Sequence, residues 1–163
     1  MSNPATIFAP YEADDVAYAF VQKGIIESNF VTQMKLQKIL YFAHGLHLAQ
    51  YHAPLIKETF QAWKFGPVIP RIYHTYKLYG SMPITNTDIA YLVDRPAPHF
   101  NDEANEIIEV TWKTLKNIDG IKLSQWTHQD DSPWKKHYEE QVLSKEIPNE
   151  EIERYFAEKF IKK

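Results

Sequence analysis

The chain has 163 residues, 44% apolar and 24% charged, which is enough for one hydrophobic core and excludes a disordered polymer. Its net charge of −3 gives no general attraction to nucleic acid or anionic lipid, and the absence of Cys excludes disulfides, thiolate metal sites and a Cys nucleophile. No stretch approaches the roughly 18 apolar residues of a membrane span, and no basic-then-apolar leader opens the chain, so a cytoplasmic location is expected.

Residues 1–11 read as an N-terminal arm and residues 12–163 as a single domain. A first helix is expected over Glu12–Ser28, with Ala13, Ala17, Phe20 and Gly24 on one face and Val16 and Val21 beside it. Acidic Glu12, Asp14 and Asp15 suit the positive end of its dipole. Thr32 is the natural N-cap of a second helix reaching about Gln50. Leu36, Leu40, Ala43 and His47 line one face, and Ile39, Phe42 and Leu46 widen it to about half the circumference, which places this helix at the centre of the core. Gly45 within it points to close helix packing.

Alternation over Lys57–Phe65, rich in Thr, Phe and Trp, predicts a short strand ended by Gly66-Pro67, with Trp63 filling the core. Pro70 fits the first turn of a third helix carrying Ile72, Tyr73, Tyr76 and Tyr79, with Gly80 as its C-cap. Ser81–His99 reads as a long loop with a short strand near Tyr91-Leu92-Val93. Further helices are expected over Asp102–Asn117, over Leu123–Gln129 and from Pro133 to about Val142. Lys145–Ile147 is assigned to a strand pairing near Phe60–Trp63, and Asn149 to the cap of a last helix with Ile152, Phe156 and Phe160 inside. The expected fold class is α+β: a mostly helical single domain of about six helices with a small two- or three-stranded sheet.

Chemistry-bearing residues are few. His44 and His47 lie one helical turn apart, a spacing at which two imidazoles can share a metal. A third ligand and the activating Glu of a His-Glu-x-x-His pattern are missing, and hydrogen-bonded core histidines give the same pattern. His128 stands near Ser124, Asp130 and Asp131, so a hydrolytic triad can be written, but no Gly-x-Ser-x-Gly elbow accompanies it. A tie between the loop before Trp134 and the preceding helix explains His128 as well. Lys35 and Lys38, also one turn apart, either flank a partner groove or form the solvated edge of a buried helix. Lys159, Lys162 and Lys163 make too short a patch for DNA binding.

Three segments together resemble the Panacea family (DUF4065, SocA-like antitoxins) of bacteria and prophages. They are Lys35-Leu36-Gln37-Lys38-Ile39-Leu40-Tyr41, then Ala62-Trp63-Lys64-Phe65-Gly66-Pro67-Val68 with Pro70 and Tyr73, then Leu123-Ser124 with Thr127-His128 and Pro133-Trp134. The turn Asp130-Asp131-Ser132 departs from the shorter or Glu- and Gly-bearing turn of relatives. The resemblance implies an antitoxin that is not an enzyme, needs no cofactor and binds a protein toxin encoded by an adjacent gene. Lys35, Lys38, Tyr41, Lys64, Tyr73 and Tyr76 are the candidate partner-binding residues. A homo-oligomer is compatible with it. Two other classes stay open: a proteolytic adaptor that delivers a partner to a protease, and a hydrolase or metal enzyme using His44 and His47 or His128.

Overall fold

The structure, a computed structural model, describes residues 8–87, 99–142 and 144–161. Helix α2, Gln33–Tyr51, is its axis. Fifteen of its 19 residues are buried, because it packs against α1 (Ala13–Ile26), α3 (Pro70–Tyr76), α4 (Asp102–Leu115), α5 (Gly120–Thr127), α7 (Asn149–Phe160) and strand β2 (Gly66–Val68). A helix that is apolar on half its circumference can only be stable with neighbours on that many sides. Thr32 caps it as expected, accepting from Lys35 N–H at 3.3 Å. Gly45 makes room for α7: a Cβ there would lie 2.4 Å from the Phe156 ring.

The expected strand is shorter than its pattern. Only Gln61–Trp63 forms β1, and Gly66-Pro67 does not simply end it. After the Lys64-Phe65 connection the chain returns as β2, antiparallel, with Gln61 opposite Val68 and Trp63 opposite Gly66. Pro67 is tolerated because β2 is an edge strand and a proline there removes no needed ladder donor. On the other side of β1, Ala62 N–H donates to Lys145 O and Ile147 N–H to Phe60 O, each at 2.8 Å. The expected pairing with Lys145–Ile147 is present as an isolated bridge between Gln61 and Glu146.

The remaining elements follow their capping signals more closely than their apolar patterns. α5 begins a turn earlier than expected because Asp119 caps it, accepting from Lys122 N–H at 2.9 Å. α6, Pro133–His137, is capped by Ser132 and stops well short of Val142, where the backbone turns extended at Tyr138 and left-handed at Gln141, φ 68°. Asn149 is the first helical residue of α7 and not its cap. Pro148 takes that place, and the Asn149 side chain turns inward. Asp14 serves less at the α1 dipole than as an anchor for α3: it is buried and accepts from Arg71 Nε at 2.9 Å and Thr75 Oγ1 at 3.1 Å. Tyr11, placed in the arm by sequence, is 4% exposed and bridges Ile56, exchanging backbone bonds with Leu55 and Lys57. The expected strand near Tyr91–Val93 lies outside the described residues, as do Lys162 and Lys163 of the basic end. Lys159 pairs with Asp131 at 2.8 Å. The fold is mostly helical α+β with a two-stranded sheet, as the sequence indicates.

Candidate partner-binding groove

The first turns of α2, the β1–β2 hairpin, α3 and the start of α5 enclose a groove of about 770 Å³. Its rim carries apolar side chains that the fold leaves in solvent: Met34 at 36% exposure, Phe65 at 58%, Tyr73 at 40% and Ile121 at 66%. Trp63 forms part of the wall. It is half-buried, its ring centroid 5.2 Å from that of Tyr73 and its Nε1 donating to Gln61 Oε1 at 3.0 Å. The expectation that Trp63 fills the core is therefore corrected. β1 alternates, and its inward position is Ala62, with Phe60 just before it.

Lys38 lies in the floor. Its stem runs beneath Gly66, where an added Cβ would stand 2.5 Å from Lys38 Cε and 3.0 Å from both Lys38 Nζ and Thr127 Oγ1. Gly66 also has φ +124°, so both its conformation and its space require glycine. Lys38 is 1% exposed, and burial alone pushes its ammonium down to about 7, since no carboxylate or hydrogen-bond acceptor offsets it. His128, in the turn after α5, stacks on Trp134 at 3.8 Å, and its Nε2 is buried without a partner. Burial and the charge of Lys38 both push this imidazole down.

The six candidate contact residues divide. Lys38, Lys64 and Tyr73 line the groove. Lys35 lies beside it, mostly buried, its ammonium donating to Lys116 O and depressed by burial, an effect Asp119 partly offsets. Tyr41 and Tyr76 are 1% exposed each and belong to the core, so they offer a partner no surface. Tyr41 packs edge-on against Phe60 and Phe156, and burial raises its phenol. Sequence reading missed Met34, Phe65 and Ile121. Phe65 carried a usable signal: an aromatic in a two-residue hairpin connection has little of its own chain to pack against.

The histidines of α2 are engaged elsewhere. His44 is fully buried. Its Nδ1 accepts from Ile56 N–H at 3.3 Å, so Nε2 carries the proton and donates to Asn149 Oδ1 at 2.9 Å. His47 Nδ1 donates to Ala53 O at 2.6 Å. Each ring is held by different backbone, and among the described residues no three metal-ligating side chains converge. A smaller hollow of about 260 Å³ between α1 and α4 is bordered by Lys23 and Glu109, which pair with each other. No helix among the described residues is long and apolar enough to cross a membrane.

The sequence segments that carry the family resemblance meet around this groove. Ser124 Oγ donates to Phe65 O at 2.6 Å, and Trp134 Nε1 donates to Trp63 O at 2.6 Å. Gln37 holds the entry to α3 with both ends of its amide, accepting from Ile69 N–H at 2.9 Å and donating to Ile69 O at 3.2 Å. The family model described as antitoxin SocA-like, Panacea domain, matches residues 36–135. Antitoxin SocA of Caulobacter vibrioides is 31% identical over 128 residues, covering 76% of this chain and 68% of that protein. No solved structure matches the chain. With the family model matching residues 36–135 and a 31% identical relative covering 76% of the chain, the chain belongs to the SocA-like antitoxin family with a Panacea domain.

Proposed function

We propose that this chain is a cytoplasmic antitoxin that binds a toxin protein, encoded by an adjacent gene, and neutralises it by direct contact through the groove. The observation that carries the reading is the rim. Met34, Phe65, Tyr73 and Ile121 expose apolar surface around the groove, and half-buried Trp63 stands among them. Aromatic residues beside a recess are the side chains that concentrate binding energy in protein interfaces. The reading is of a binding protein, and the engagement of His44 and His47 in the core supports it.

Co-expression of the adjacent gene tests the proposal. Growth should be arrested by that gene alone and restored by this chain, and the two products should co-purify through an interface of about 1,200–2,000 Å². Trp63→Ala should weaken the complex at least about thirtyfold, the equivalent of roughly 2 kcal/mol, with little change in melting temperature. A harmless neighbour, or one equally harmful with and without this chain, refutes the antitoxin reading. A large melting drop with Trp63→Ala returns Trp63 to the core. A toxin that disappears from the cell only when this chain is present, through a protease, indicates an adaptor instead of a blocker.

A further inference from the structure

We propose that the groove is a receptor for an acidic side chain: an Asp or Glu on the toxin segment that enters it, whose carboxylate pairs with Lys38 Nζ. The proposal rests on the antitoxin reading only for the identity of the partner. Its basis is charge left without a counterpart. Lys38 is 1% exposed, lines the groove, and forms no ion pair or hydrogen bond among the described residues. A buried, unpaired ammonium is costly to the folded protein, and the fold holds it there with a glycine that admits nothing larger above it.

The groove's own carboxylate does not fill the role. Asp119 is occupied as the cap of α5, and its charge acts on Lys35 and not on Lys38. The other charged group lining the recess is Lys64 on the hairpin, and His128 after α5 lies within electrostatic reach of Lys38; neither is acidic, so the local field favours an anion. With Lys38 only 1% exposed, a carboxylate on a methylene stalk reaches its ammonium more readily than a chain terminus, whose carboxylate sits beside its own side chain and amide. The apolar rim then covers the pair and raises its strength by excluding water.

Because the ammonium is depressed to about 7 in the free protein, binding of a carboxylate takes up a proton. Affinity should fall by up to about tenfold per pH unit above 7. His128 contributes in the same direction at lower pH, its imidazole being depressed already by burial and by Lys38.

The test uses the full chain and a phage-displayed random peptide library, followed by synthetic copies of the selected peptides. The selected peptides should share one Asp or Glu beside apolar residues. Changing that residue to its amide should weaken binding roughly thirtyfold or more, and Lys38→Met should weaken the acidic peptide equally while leaving the amide peptide unaffected. Lys113→Met, an exposed lysine on α4, serves as the charge control and should change nothing. Lys38→Met removes an unpaired buried charge and is expected to melt higher than the parent, and Lys38→Gln gives a second variant of similar length. Selected peptides without an acidic residue, an amide that binds as well as the acid, Lys38 variants that bind like the parent, or no selected peptide at all overturn the proposal. Loss of binding on amidating the peptide C-terminus overturns it in favour of a terminal carboxylate. If the peptides bind through Lys38 but the adjacent gene proves harmless, the antitoxin reading falls and the acid receptor stands.

Discussion

His44 shows how a single buried side chain couples the core to solution conditions. Burial pushes its imidazole down to about 4 from the ordinary 6.5, only partly offset by the bond to Asn149. The folded protein therefore resists a proton that the unfolded chain accepts. Above pH 6.5 neither state is protonated and there is no penalty. As pH falls from 6.5 to 4 the unfolded state gains the proton first, and folding stability declines by about 3 kcal/mol. Carboxylates also titrate in this range, so the parent must be compared with His44→Gln. Urea denaturation at pH 7.5 should find the variant less stable, and the difference should shrink by about 3 kcal/mol by pH 4. A difference that stays constant with pH means that His44 keeps its ordinary titration. From sequence, His44 and His47 read equally as ligands or core residues. Periodicity places a ring on a face but not its hydrogen-bond partner, and that partner is Asn149, on the last helix. Trp63 failed for a related reason: in a strand of three residues, one step of register separates the core position Ala62 from the groove wall.

Among the elements, α2 was the most legible, because its apolar breadth and Thr32 cap state both its burial and its start. The hairpin was the least legible. Gly66-Pro67 has the composition of a breaker, and only the structure shows Gly66 as a close-approach position over Lys38 at the head of an edge strand. Gly45 tests the packing of α2 on α7. By helix propensity alone, Gly45→Ala should stabilise the protein by up to about 1 kcal/mol. The new Cβ would stand 2.4–2.6 Å from three atoms of the Phe156 ring. That ring is fully buried and flanked by Tyr41, Phe42 and Trp126, so it cannot swing aside. Overpacking of this kind costs roughly 1–3 kcal/mol, so the steric effect wins. The expected outcome is a melting temperature lower by about 2–8 °C. An unchanged or higher value means that α7 moves away freely and that the α2–α7 contact is looser than the structure describes.

At the scale of the whole molecule, the three sequence segments meet at the groove. Each of the three sequence segments is ordinary alone: a buried helix, an aromatic hairpin, a helix corner. Their convergence was not legible, because the bonds joining them span 59 residues for Ser124–Phe65 and 71 for Trp134–Trp63, and neither donor announces its acceptor. In the structure these two bonds fix adjacent parts of one hairpin from one side, while Lys38 and Thr127 meet beneath Gly66. A support of this kind predicts cooperativity. Ser124→Ala and Trp134→Phe each remove one donor and leave the larger part of the packing. If the hairpin is held as a unit, freeing it at one point weakens the hold at the other, and the double variant should depart from the sum of the singles by about 0.5–3 kcal/mol. Asp14→Asn, on the α1–α3 contact, is the reference: combined with Ser124→Ala it should add within about 0.5 kcal/mol, since the two share no partner. Denaturation of the six proteins, parent included, measures both cycles. If Ser124→Ala and Trp134→Phe add as independently as the reference pair, the hairpin is pinned at separate points and the groove wall is not a cooperative unit.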